Sequence, residues 1–333
     1  MQTGRKTVAA VVAAATFALA PAAAQAATVT VTGDDGNPAG LTPGAPLTIR
    51  NMDFDVGVAR GADAAKFRQS VTAPDGVSLI NDPNYCWTLA NLSTPAAYRG
   101  NGTYTVTVTE YTDTACTAVL RQTTYQYVVS AGVAIAPPAG TFLIRPKGIS
   151  TPNTLELGFT GNPGAYGYDV QYARGGVIGP DGAISGPSAT AIVSSTTGKI
   201  PLQLTEPGTY VMVARANGGQ FNSPWSPPVT IRAQAPFDLS SRSFPDQTGP
   251  RYSVLGYVGT KGVSGRVKLA IKPRRGGRWR SLGSAKIRAD GRFTKRFVVR
   301  RLGFYRLRYS FKGGALVQKG SVTEVIRVRR RII

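Results

Sequence analysis

The chain has 333 residues, with 39 Lys/Arg against 17 Asp/Glu and no histidine. Without imidazole, Ser-His-Asp and Cys-His nucleophile systems, histidine-built zinc sites and the commonest general base are all excluded. With 39 Gly, 23 Pro and only 2 Cys, the composition points to a turn-rich β protein and offers no dense disulfide or thiolate framework.

Residues 1–26 have the layout of an export signal. Arg5 and Lys6 give the charged start, Thr7 to Ala20 the apolar run, and Ala24-Gln25-Ala26 a small-x-small cleavage site. The run is short for a membrane-spanning helix and is followed by Pro21. The expected mature chain starts at Ala27 and is secreted or extracellular, with no transmembrane segment. In that compartment the two cysteines are expected to pair as a Cys86–Cys116 disulfide.

Beyond the signal, period-2 alternation recurs between clusters of turn residues. Residues 27–131 contain "TVTVT", "YTVTVTEY" and "TYQYVV", where small polar residues alternate with β-branched or aromatic ones. Asp75-Gly76, Asp181-Gly182 and Asp290-Gly291 are dipeptides of the kind hairpin turns use. Two stretches, 132–140 and 233–238, are expected to be linkers. They divide the chain into domains at 27–131, 141–232 and 239–333, each of a size that suits a β-sandwich. The predicted fold class is all-β, three tandem Ig-like or fibronectin-like sandwiches.

The middle domain carries a family resemblance. "NTLELGF", "YGYDVQYA", "EPGTYVMVARANGG" and "SPWSPPVTI" resemble the B, C, F and closing G strands of a fibronectin type III domain. Phe159 stands where that family usually has a core Trp, and Tyr210 matches the tyrosine near the corner of the F strand. The resemblance implies a sandwich used for spacing or binding, with no catalytic residues. "GTYTVTVTEYTDTAC" resembles the late hairpin of Ig-like modules in secreted bacterial proteins. The last domain resembles β-sandwich modules appended to exported actinobacterial proteins.

Candidate chemistry in the first domain is thin. Asp34, Asp35, Asp53 and Asp55 are weak candidates for a Ca²⁺ site or a hydrolase pair. No metal site, cofactor or catalytic residue is expected. Trp87, Tyr98, Tyr104, Tyr111, Tyr125 and Tyr127 are read as sheet and core residues. If exposed in a coplanar row, they would instead favour a carbohydrate-binding or enzyme-accessory module.

The charge distribution is the strongest signal. Residues 1–235 hold 14 Lys/Arg and 13 Asp/Glu, while residues 236–333 hold 25 Lys/Arg and only 4 Asp/Glu. In the last domain the alternation sets base against apolar residue. Arg266, Lys268 and Lys272 share one strand face, as do Arg306, Arg308 and Lys312, and also Arg327 and Arg329. Arg274, Arg275, Arg278 and Arg280 surround a predicted turn, with Trp279 expected to pack at the start of the return strand. If these strands are neighbours, their stripes merge into one cationic face. The expected function is that of a non-enzymatic structural or adhesive surface protein, held by this face to an anionic envelope polymer. Extracellular nucleic acid is the other polyanion considered, though no interleaved row of exposed aromatics is legible for base stacking.

Overall fold

A computed structural model describes residues 25–33, 35–81, 85–144, 154–194, 198–245 and 251–328. Residues 1–24 of the signal, Asp34 and Arg329 lie outside them. Among the described residues every regular element is a β-strand.

The first domain packs a four-stranded sheet on a five-stranded one. Spatial order in the first sheet is Pro38–Leu41, Thr28–Gly33, Asp53–Ala59, Asn91–Ala97. In the second it is Leu47–Ile49, Val119–Val129, Gly102–Tyr111, Lys66–Thr72, Ser78–Asn81. Alternation dictates which side is buried. In Gly102–Tyr111, Tyr104, Val106 and Val108 face inward while the intervening threonines do not. The Cys86–Cys116 disulfide forms. It joins the segment around Trp87, which bridges to Phe67, to the loop between the two longest strands.

The second domain opposes a three-stranded sheet (Ala134–Ile135, Thr154–Thr160, Lys199–Gln203) to a five-stranded one (Thr141–Leu143, Val229–Gln234, Gly208–Asn217, Gly167–Arg174, Ala189–Val193). This is the fibronectin type III-like arrangement expected from the sequence. Phe159 packs edge-on against Tyr168 with ring centroids 4.5 Å apart. The Tyr210 hydroxyl donates to the Glu206 carbonyl at 2.8 Å, the bond of a tyrosine corner.

The segment 132–140 differs from a free linker. Val133 and Ile135 are buried, and Ala134–Ile135 pairs with Phe159 and Thr160. One apolar core therefore runs from Ala27 through Ala131 and Val133 to Ala233. The third domain has a separate core, from Leu239 to Val328. Its sheets are Ser240–Pro245, Arg251–Tyr257, Arg292–Val298 and Arg280–Lys286, Arg266–Pro273, Gly303–Phe311, Gly320–Val328.

All three Asp-Gly pairs place glycine at positive φ, 81° at Gly76, 83° at Gly182 and 81° at Gly291. The first two close hairpins. Asp290-Gly291 does not, because the strands on either side of it belong to different sheets. That turn carries the chain around the corner of the sandwich.

Candidate polyanion-binding face

The three basic strands are neighbours. Arg266–Pro273 pairs with Gly303–Phe311, which pairs with Gly320–Val328. Val267, Leu269, Ile271, Leu307, Tyr309 and Phe311 are buried on the inner side. Strand parity then forces the bases outward. Arg266, Lys268, Arg306, Lys312 and Arg327 are exposed, and Lys272 and Arg308 are half-buried. Lys286 on the edge strand adds a further base beyond those expected from the alternation. The sheet's one carboxylate, Glu324, lies opposite Leu307 on the inward-facing parity, where its Oε1 accepts from the Tyr309 hydroxyl.

Like charges sit directly opposite one another across strands. Arg266 faces Lys286, and Lys272 faces Arg306. Such pairs are destabilising. The sheet accepts them because the inner side is well packed.

Two aromatic rings, Trp279 and Phe304, stand among these charges. Trp279 immediately precedes the strand Arg280–Lys286, and its ring lies on the basic face rather than in the core. The Arg308 Cζ is 4.4 Å and the Lys272 Nζ 4.9 Å from its centroid. Phe304 is 47 % exposed, with Arg327 Cζ at 5.2 Å and Arg274 Cζ at 5.8 Å from its ring. Phe304 was legible in principle. A strand starting at Gly303 puts residues 304, 306 and 308 on one side.

At one end of this face lies a groove of about 730 Å³. Lys272, Arg278, Arg280, Arg300 and Arg301 line it above Ile271 and Val299, which are buried. Arg280 Nη2 donates to the Val298 carbonyl at 3.3 Å, and the Tyr305 hydroxyl donates to the Arg301 carbonyl at 3.0 Å. Among the described residues none of the five cations forms an ion pair. Elsewhere arginines are matched, as in Arg99–Asp75, Arg121–Asp63, Arg174–Glu206 and Arg215–Asp169. Arg274 and Arg275 are exposed on the adjoining turn. Arg300 and Arg301 are not legible from the sequence because they follow the strand Arg292–Val298, where alternation gives no side to assign.

Among the described residues, the first-domain candidates Asp35, Asp53 and Asp55 do not assemble into a site. Asp35 turns back to accept from the Asn37 amide at 3.2 Å, while Asp53 and Asp55 point outward from their strand. Among the described residues no group of three or more His, Cys, Asp and Glu is placed to hold a metal. Tyr98, Tyr104, Tyr111, Tyr125 and Tyr127 are buried and Trp87 is half-buried. These residues therefore form no coplanar exposed row for a sugar.

No family model and no curated protein matches the chain. Solved structures do. A two-domain fibronectin type III segment of chicken tenascin is similar at 13% identity and a TM-score of 0.36, covering 60% of this chain and 99% of that one. A segment of chicken CNTN1 spanning its FN1 to FN3 domains is similar at 11% identity and a TM-score of 0.22, covering 91% and 100%.

Proposed function

We propose that the protein is exported and non-catalytic, a structural or adhesive surface protein of the actinobacterial type. Its basic last domain attaches it to an anionic polymer of the cell envelope. The observation that carries this reading is the merged face. Three neighbouring strands present bases on one side, with like charges opposed across strands and no carboxylate on that side among the described residues. Self-repulsion on this scale is relieved by an anionic partner. The groove supports the same reading, because guanidinium groups bind phosphate and carboxylate through paired N–H donors.

Single-stranded nucleic acid is the second polyanion the face suits. Trp279 and Phe304 stand among the cations, and rings interleaved with bases are what base stacking on a charged track requires.

Chromatography of the mature chain over immobilised poly(glycerol phosphate), with neutral dextran as control, tests the first reading. Retention at low salt and release as the Debye length shrinks below about 8 Å support it. Passage through both columns at low salt overturns it. Joint Arg278→Gln, Arg300→Gln and Arg301→Gln substitution should lower the eluting salt more than Arg266→Gln, Lys268→Gln and Lys312→Gln, if the groove gathers phosphates. Single-stranded DNA eluting later than the phosphate polymer, with the difference lost in Trp279→Ala, favours the second reading.

A further inference from the structure

Within the first domain, the expected cleavage point falls where burial rises from Gln25 to Ala27. Gln25 is exposed, Ala26 is half-buried and Ala27 is 2 % exposed. The Ala27 backbone nitrogen donates to Glu110 Oε2 at 3.0 Å, and its carbonyl accepts from the Tyr125 hydroxyl. Glu110 is 1 % exposed. Its other oxygen accepts from the Gly61 amide at 2.7 Å, and Arg121 Nε approaches Oε2 at 2.5 Å. A buried carboxylate of this kind is retained only where its charge is matched. Gly61 packs closely against the same groups. A Cβ there would come within 2.2 Å of Arg121 Nη2 and 2.8 Å of Glu110 Oε1.

We propose that leader removal between Ala26 and Ala27 completes this site, and that the new α-ammonium of Ala27 is held by Glu110 as a buried ion pair. This rests on the reading of residues 1–26 as a cleaved signal. A leader peptidase supplies the hydrolysis. Water adds its hydroxyl to the Ala26 carbonyl carbon, the C–N bond breaks, and Ala27 nitrogen takes the proton and a second one from solvent. The peptide N–H that donated to Glu110 is thereby replaced at the same atom by a charged donor, which strengthens the bond. The Gln25 carbonyl, which accepts from Arg121 Nη2 at 2.9 Å, departs with the leader. Arg121 keeps Asp63 and Glu110 as partners.

The charged or titratable groups around the new terminus are Glu110, Arg121, Asp63, Tyr125 and Arg60, whose guanidinium turns away to the Ala64 carbonyl. The ion pair with Glu110 favours the charged amine, against its burial and the repulsion of Arg121. The gain is present while the amine is charged and is lost as it deprotonates at alkaline pH.

Two measurements decide it. Intact mass and N-terminal sequencing of the secreted protein should find a free amine at Ala27. A mature chain that begins at Gln25, or that keeps its leader, overturns the proposal. Thermal melts then compare chains starting at Ala27 and at Gln25. The Ala27 chain should melt about 3 °C or more higher at pH 6.5, with the gap closing at alkaline pH. Acetylation of the Ala27 amine should abolish the gap, and so should Glu110→Gln. Equal melting at pH 6.5, or a gap indifferent to acetylation, overturns the proposal. If the Glu110→Gln chain does not fold, the acetylated chain alone decides.

Discussion

Tyr104 shows how single residues in the first domain were claimed by packing. Its ring stacks on Tyr127 with centroids 5.1 Å apart, while Phe54 meets both edge-on. Its hydroxyl accepts from the Arg99 amide at 2.7 Å and donates to the Gly100 carbonyl at 3.0 Å. Tyr98, also buried, donates to Asn101 Oδ1 at 2.8 Å. Burial pushes the Tyr98 phenol up to about 12 from 10.0, with a smaller contribution from Tyr104. Burial also raises Tyr104 and Tyr127. The raised values mean that the folded state holds these protons more tightly. Stability is therefore full below pH 10 and declines as pH rises toward 12. Alkaline titration followed at the phenolate band and by circular dichroism should show these tyrosines ionising together with loss of the fold. Ionisation near pH 10 of every tyrosine in an intact fold would contradict it.

At the scale of the strand, the basic sheet trades stability for charge. Lys286→Glu places an acid directly opposite Arg266 and removes a like-charge pair. Opposite charges across strands are worth about 0.2–1 kcal/mol. The variant should melt slightly higher than the parent and yet elute from a phosphate polymer at lower salt. A variant that melts higher with unchanged elution would detach the face from binding. The basic stripes were legible because alternation with Val267, Leu269, Leu307 and Tyr309 leaves each base one side to occupy. Which strands are neighbours was not legible, since pairing in a sandwich is set by long-range packing. For the same reason the outward ring of Trp279 and the convergence of Arg300 and Arg301 on Arg278 were hidden. Each depends on where a turn folds back, and turn residues obey no period. The Asp290-Gly291 pair has the local chemistry of a hairpin turn, and only the sheet assignment of its flanking strands shows it to be a corner.

Across the whole molecule, two apolar cores divide the chain unevenly. The first is shared by two sandwiches, and the contacts between them are specific. The Met52 amide donates to the Pro163 carbonyl at 2.9 Å, Asn162 Nδ2 donates to the Gly132 carbonyl at 3.1 Å, and Arg99 lies 4.6 Å from the Phe221 ring. A Cβ on Gly218 would come within 2.7 Å of Met52 Cε and 3.0 Å of Tyr98, so the two surfaces meet without slack. The third domain joins through Ala235, which bridges to Val317, and through Phe237, stacked on Phe311 at 5.7 Å. Elements that bury one continuous core unfold together, and separate cores unfold separately. Calorimetry should accordingly resolve two transitions, a larger one for residues 27–233 and a smaller one for residues 235–328. Reduction of Cys86–Cys116 should lower only the larger, by about 2–4 kcal/mol. An excess of phosphate polymer should raise only the smaller, since a ligand stabilises the unit that binds it. A single transition, or three, would redraw these units. A polymer-induced rise in the larger one would move the binding face out of the last domain.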